Sequence, residues 1–581
     1  MNKRYTITGA VALSALIAGC GGSSGSDSPE PTPAPPAPAP QLSCAEITTE
    51  ALGLEGLVIT KASQNGAEES SPAHCLVEGN LHARKSEVDN QQYAIGFEVR
   101  LPEDWNGRFF FQGGGGTDGA VNPAMGSLPG EGNTTTALAL GYAVASTDGG
   151  HKSVDDGTPA GGSLFGLDPQ ARVDYGYNAV GEVTQVAQNL IERHYDSAAH
   201  HSYFVGCSNG GRQGMVAASR FAHLYDGVIA GNPGFNLPQA GIQHAWDNQQ
   251  FAKVAPIDAD SGRPIIQDAF TMQDMGLVAN AALQQCDALD GLADGLISNL
   301  AACDATFDPD QHLPRCEGAK DASCLSAEQI DALKGVFGGP KNSQGEQLYA
   351  SWPWDAGVGE MGWRLWKLAM PFPNPTPTIP NSIIATMGGS SLPYVFMTPP
   401  SPVSGAGHGL IDYLLNYNFD SDAPGIYRTN NVYTESAMSF MTPPNPSDLS
   451  AFRDRGSKMI VYHGNSDPVF SVHDTINWYE NLGAADAKAA DYARLFTIPG
   501  QNHCSGGPST SQFDMLTALV DWVEEGKAPD QIIAQASADS SLGDNVQSRP
   551  LCPHPQYAQY DGKGDPKVAS SFACVAPNAA S

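Results

Sequence analysis

The sequence predicts an α/β fold, a doubly wound and mostly parallel sheet with a large insertion that covers it as a lid. Three observations predict this. Apolar strand-like runs alternate with helical segments in the first part of the chain and again near its end. A G-x-S-x-G pentapeptide, Gly206–Gly210, lies between one such strand and one such helix. The alternation is suspended from about Gly234 to Pro444, where short helical pieces, prolines and four cysteines replace it.

The elements follow in chain order. "MNKRYTITGAVALSALIAGC" has basic Lys3 and Arg4, an apolar run too short to anchor in a bilayer, and small residues before Cys20, so residues 1–20 read as a signal peptide. Its ending resembles a bacterial lipobox, which predicts acylation of Cys20 and an exported, outer-membrane-anchored or extracellular lipoprotein. Residues 21–41 form a Gly/Ser- and then Pro-rich spacer. The first part of the core, 42–233, begins with a mixed pattern to about Val99 that ends in the alternating strand "QYAIGFEVRLP". "RFFFQGGGG" is an apolar strand running into four glycines, and "GYAVASTDGGH" is another buried strand. "YNAVGEVTQVAQNLIERHY" has helical spacing, "HSYFVG" is a strand, and "GRQGMVAASRFAHLY" is a helix. The lid spans 234–444. Residues 445–581 complete the core with the strands in "SKMIVYHGNSD" and "YARLFTIPGQNH".

Composition narrows the partners. The chain has 581 residues and a net charge of -32, with 62 acidic against 30 basic side chains and no basic cluster. Nucleic acid is therefore not expected as a partner, and a membrane only through the N-terminal lipid anchor. A monomer is expected. Of 11 cysteines, ten remain after Cys20: Cys44, Cys75, Cys207, Cys286, Cys303, Cys316, Cys324, Cys504, Cys552 and Cys574. An even number in an exported chain without C-x-x-C pairs favours disulfides over zinc. Spacing suggests local closures Cys286 to Cys303, Cys316 to Cys324 and Cys552 to Cys574.

Ser208 sits where G-x-S-x-G demands a sharp bend, with a strand before it and a helix N-terminus after it that favours developing negative charge. A serine nucleophile needs a base, and the base needs an acid to orient it. Of 14 histidines, His503 follows a late buried strand in "IPGQNHCSGG", and Asp467 follows the strand before it. Ser208, Asp467 and His503 occur in the order used by α/β-hydrolases. His463 is a rival base, although it precedes the acid and is suited to packing under the loop. Cys207 adjoins the serine and Cys504 the histidine, so a bridge between them would clamp the two together. The N–H of Asn209 and one from the "QGGGG" loop are suited to stabilising an oxyanion. This chemistry needs no organic cofactor.

In the lid, "CDALDGLADGLIS" places Asp287, Asp290 and Asp294 in a loop that bends at Gly291 and Gly295. Three hard oxygen donors with backbone carbonyls suit calcium, and the spacing is not that of an EF-hand.

Together with "FGLDPQAR", "LSAFRDRGSKMIVYHG", "NHCSGGP" and "APDQI", these residues resemble the tannase and feruloyl esterase family from about Cys44 onward. The nearest likeness is to its branch that cleaves terephthalate monoesters. The resemblance implies an α/β-hydrolase core with a lid, five disulfides including Cys207 to Cys504, and Ser208, Asp467 and His503 as catalytic residues. It implies Gly116 and Asn209 as oxyanion donors, and a structural Ca2+ held by Asp287, Asp290 and Asp294 with the carbonyls of Leu292 and Leu296. Phe470 matches an aromatic that packs on the substrate ring, and Ser391 a pocket serine. An arginine that grips the free carboxylate in that branch is matched here by Ile383, and a pocket phenylalanine by Met387; Arg364 is an alternative cation. The expected substrate is a small aromatic ester, first a terephthalate ester, with plant phenolic esters as the alternative and a non-catalytic surface binder as a third reading.

Overall fold

The strands are β1 (Leu57–Asn65), β2 (His74–Lys85), β3 (Gln92–Pro102), β4 (Arg108–Gln112), β5 (Ala143–Thr147), β6 (His201–Cys207), β7 (Gly227–Gly231), β8 (Lys458–Gly464) and β9 (Ala493–Ile498). They form one sheet in the order β1-β2-β3-β5-β4-β6-β7-β8-β9. Pairing is antiparallel from β1 through β3 to β5 and parallel from β5 to β9. The computed structural model describes residues 41–577 except 69, 70 and 539. The signal peptide, Cys20 and all of the spacer but residue 41 lie outside the described residues.

The parallel strands are largely apolar and buried along their middles because both faces are covered. Phe109 and Phe111 of β4 join one core, with the helices α1 (Ala179–Tyr195) and α2 (Asn209–Arg220), while Phe110 points into the core on the other face. That alternation is the period of two of a strand. Seen along the chain, β5 lies on one side of β4 and β6 on the other, so the winding reverses at β4. Open parallel sheets bind ligands in the crevice at such a reversal, outside the carboxyl ends of the strands. The ends of β4 and β6 carry the glycine run and Ser208.

Between β7 and β8 the chain leaves the sheet. Helices α3 (Leu237–Ala252), α4 (Met272–Cys286) and α5 (Ala327–Gly338) share a core that includes Phe251, Met275, Val278, Leu333 and Trp363. Phe165 and Tyr175, from the segment before α1, pack into the same core, so the insertion is joined by apolar contact to the connection between β5 and α1. Helices α6 (Val472–Ala485) and α7 (Met515–Glu525) follow β8 and β9; Leu516, Leu519 and Trp522 of α7 cover the face holding Phe110. Two hairpins close the chain, β10 (Ile532–Gln535) with β11 (Ser548–Leu551) and β12 (Tyr557–Tyr560) with β13 (Phe572–Val575).

All ten cysteines among the described residues are paired. The bridges are Cys44–Cys75, Cys207–Cys504, Cys286–Cys303, Cys316–Cys324 and Cys552–Cys574. Five disulfides are consistent with an exported protein. Among the described residues no helix is long and apolar enough to cross a membrane.

Two readings are corrected. The mixed stretch from Leu42 to Val99 holds two full strands, β1 and β2, at the edge of the sheet. Half-exposed polar residues such as Lys61, Ser63 and Gln64 dilute the alternation of β1. The helix after Ser208 stops at Arg220 instead of running on to Tyr225. Phe221 leaves helical geometry, at φ -123° and ψ 32°, and its ring occupies the place where a Cβ on Gly181 of α1 would stand.

Candidate active site

Ser208 has φ 65° and ψ -125°, a conformation that a residue with a Cβ adopts only under constraint. The constraint is close backbone packing. A Cβ at Gly206 would lie 2.6 Å from the carbonyl carbon of Gly210, and one at Gly210 would lie 2.6 Å from the carbonyl oxygen of Gly114. The two glycines of the pentapeptide are thus fixed by the turn and by the glycine run beside it.

Ser208 Oγ is 2.8 Å from His503 Nε2, and His503 Nδ1 is 2.7 Å from Asp467 Oδ2. Asp467 is fully buried; its Oδ1 accepts from the N–H groups of Val469 and Phe470, and its Oδ2 also accepts from Asn232 Nδ2 at 2.7 Å. Burial opposes its ionisation, but the charge on His503 and the hydrogen bonds from His463 and His503 outweigh burial and hold the carboxyl well below the usual range. His463 is the rival that sequence order disfavoured. It lies wholly buried beneath the same loop, with Nδ1 2.9 Å from Thr475 Oγ1 and Nε2 3.1 Å from the Phe470 carbonyl. The Cys207–Cys504 bridge joins the neighbours of Ser208 and His503 with their Cα atoms 6.1 Å apart.

The glycine run is held against the turn by a buried network. Asp118 accepts from Asn209 Nδ2 and Gln213 Nε2, each at 2.8 Å, and Gln213 Oε1 accepts from the Gly114 N–H at 2.9 Å. Burial pushes the Asp118 carboxyl up to about 6 against the pull of these donors. Tyr175 Oη donates to the Gly116 carbonyl at 2.9 Å. Among the described residues the N–H groups of Gly116 and Asn209 have no backbone acceptor, and both residues flank the same cavity as Ser208. Such donors can receive a negative oxygen formed beside the serine.

The cavity is mostly apolar. Phe470 and Trp366 meet the His503 ring edge-on, with centroids 5.4 and 4.8 Å away. Gly234 leaves room for Phe470, since a Cβ there would lie 2.4 Å from its ring. Ile383, Met387 and Ser391, four residues apart along helical backbone, present one side to the cavity. Among the described residues no lysine or arginine lines it. Arg364 is spent elsewhere in the lid, donating to the carbonyls of Phe270 and Gln267 at 2.7 and 2.8 Å. Sequence reading missed Asp118, Trp366 and His244; the last lines the cavity from α3.

A family model described as tannase and feruloyl esterase matches residues 75–575. The chain belongs to the tannase and feruloyl esterase family. It is 45% identical over 525 residues to mono(2-hydroxyethyl) terephthalate hydrolase of Piscinibacter sakaiensis, across 87% of this chain and 85% of that one. It is 28% identical over 511 residues to feruloyl esterase C of Talaromyces stipitatus, across 84% of each chain. A crystal structure of an esterase from Aspergillus oryzae matches with a TM-score of 0.69 at 20% identity, covering 90% of this chain and 97% of that one. This last likeness is one of fold, the α/β-hydrolase fold.

In this tannase-family chain the acidic lid loop is tied to the C-terminal hairpins. Asp287 accepts from the N–H groups of Asp294 and Gly295, Asp290 from Leu292, and Asp294 from Leu296. Asp294 also pairs with buried Arg549, and Gln559 donates to the Asp290 carbonyl. Asp290 Oδ2 is buried without a hydrogen-bond partner. Burial and then the neighbouring carboxylates push Asp290 up to about 7 and Asp287 upward. An orphaned carboxylate oxygen among hard donors fits a calcium ion. The three carboxylates are less tightly gathered than His200, His201 and Glu524, the group among the described residues whose ligand atoms all lie within 4.8 Å of one another.

Proposed function

We propose that this chain is a serine carboxylic-ester hydrolase acting on small aromatic esters, terephthalate esters first. The observation that carries the reading is the unbroken relay from Ser208 through His503 to Asp467 at 2.8 and 2.7 Å, opening into an apolar cavity. The 45% identity to a terephthalate monoester hydrolase supports the substrate class.

Each group has one task. His503 Nε2 takes the Ser208 proton as Oγ attacks the ester carbonyl carbon, and ionised Asp467 stabilises the imidazolium. The tetrahedral oxyanion is received by the N–H groups of Gly116 and Asn209. Collapse breaks the bond to the alcohol, which leaves with the proton from His503. Water, deprotonated by the same histidine, then releases the acid and restores Ser208. Phe470, Ile383, Met387 and Ser391 hold the aromatic acid. Ca2+ held by Asp287, Asp290 and Asp294 with the Leu292 and Leu296 carbonyls would join the lid loop to the C-terminal hairpins as structural support.

The second reading, an esterase for plant phenolic esters, is favoured by the lack of a lysine or arginine among the described residues that line the cavity. Initial rates on mono(2-hydroxyethyl) terephthalate, bis(2-hydroxyethyl) terephthalate, methyl ferulate and methyl gallate, compared as kcat/KM, separate the two. A highest value on either terephthalate ester supports the first reading; a highest value on ferulate or gallate supports the second. Absence of hydrolysis of all four, or rates unchanged in Ser208→Ala, contradicts both.

A further inference from the structure

Helix α3 brings one histidine to the cavity that contains Ser208. His244 is 7% exposed, and both its ring nitrogens are buried with no hydrogen-bond partner. Buried polar atoms in folded proteins are satisfied as a rule, so an imidazole on the cavity wall whose ring nitrogens lack a protein partner is suited to accept one from a bound ligand. Its ring is held in place by close packing. A Cβ on Gly388 would lie 2.2 Å from His244 Nδ1, so the helical backbone that presents Ile383, Met387 and Ser391 passes directly over the imidazole.

The polar complement of the cavity is neutral. Burial, and then the charge of nearby Lys367, push His244 down to about 3, so at neutral pH the ring carries one N–H donor and one acceptor lone pair. Lys367 is itself buried and paired with buried Asp247, and it is not on the cavity wall. Besides the reaction groups, the polar side chains that line the cavity among the described residues are Thr117, Tyr175, Trp366, Ser391 and His244, none of which carries a full positive charge to compensate a carboxylate.

We propose that His244 determines specificity: it hydrogen-bonds a neutral oxygen substituent on the ring of the bound aromatic acid, so that the cavity takes uncharged esters in preference to those bearing a free carboxylate. The neutral oxygen is either the second ester carbonyl of a terephthalate diester or a phenolic hydroxyl. This inference rests on the serine-esterase reading and narrows its substrate. A site built to hydrogen-bond a substrate group discriminates strongly against analogues that lack it, because its own polar atoms are then left unpaired.

The test is kcat/KM for the wild type, His244→Leu and His244→Gln on four esters: bis(2-hydroxyethyl) terephthalate, mono(2-hydroxyethyl) terephthalate, methyl 4-hydroxybenzoate and methyl benzoate. The wild type should prefer the diester to the monoester. His244→Leu should lose about 10- to 100-fold on the diester, the hydroxybenzoate or both, and little on methyl benzoate, while His244→Gln restores part of the loss. Loss on the diester alone identifies the carbonyl as the partner, and loss on the hydroxybenzoate alone identifies the hydroxyl. An equal loss on all esters, no loss, or a wild-type preference for the monoester overturns the proposal. The wild-type preference decides even where neither variant folds. If the wild type hydrolyses none of the four, the esterase reading itself fails and this inference falls with it.

Discussion

Cys207 and Cys504 stand next to Ser208 and His503, and they are bonded to each other. The distance between the serine and the imidazole is therefore set covalently as well as by packing. The bridge spans 297 residues, and in the chain-entropy model closure of a loop this long stabilises the fold by about 5 kcal/mol. Cys207→Ala with Cys504→Ala is expected to lower Tm and, at temperatures where the variant is still folded, to reduce kcat by about 10²-fold. Circular dichroism melts and initial rates on one ester check both effects; full activity in the folded variant would remove the bridge from the account.

Asp118 holds the glycine run and the serine turn through Asn209 and Gln213. Both of its partners donate, so Asp118→Asn forces an amide N–H₂ or a rotated neighbour into a site built for an acceptor. The expected outcome is a fall in kcat of about 10²-fold with KM little changed, because the misplaced N–H groups act on the oxyanion. Loss in KM alone would mean that the network shapes the cavity instead.

Calcium in the lid loop should make stability depend on the ion. A ligand that binds the folded chain alone raises Tm by mass action, so excess chelator should lower Tm and added Ca2+ should restore it. Asp290→Asn should abolish that difference. An unchanged melt in chelator would remove the ion from the account.

Asp474 gives the fold a pH dependence of known sign. Its carboxyl is buried, accepts from Asn236 Nδ2 at 2.9 Å, has Oδ2 unpartnered, and is pushed up by burial to about 7. Between the unfolded value near 4 and this folded value, the folded chain holds a proton that the unfolded chain has lost, so this group makes stability fall as pH rises from about 4 to 7. Asp474→Asn keeps the shape and removes the titration. Its Tm should vary less than that of the wild type across this window; parallel curves would show that other groups govern the slope.

What the sequence made legible is what is local. The bend at Ser208 is written in consecutive residues, as strand, glycines and helix, and the short cysteine spacings point to three of the bridges. Ile383, Met387 and Ser391 were reached through the family resemblance alone; that they share one side of a helical segment is seen only in the structure. The rest depends on tertiary approach. β1 was obscured because an edge strand is half solvated and need not alternate. Asp118 in "GGGGTDGA" looks like a solvated loop acid until β4 carries it against α2. His244 shows no pattern in its own helix, since its exposure to the cavity is created by a segment more than a hundred residues further on.

The proposed function stands or falls with Ser208 as the nucleophile of a relay with His503 and Asp467. The most direct measurement is intact and peptide mass after treatment with a fluorophosphonate, with hydrolysis followed in parallel. One adduct per chain is expected, on the peptide containing Ser208, with loss of activity in step with labelling and no adduct in Ser208→Ala. Hydrolysis that persists in the fully labelled chain, or an adduct on another residue, would contradict it.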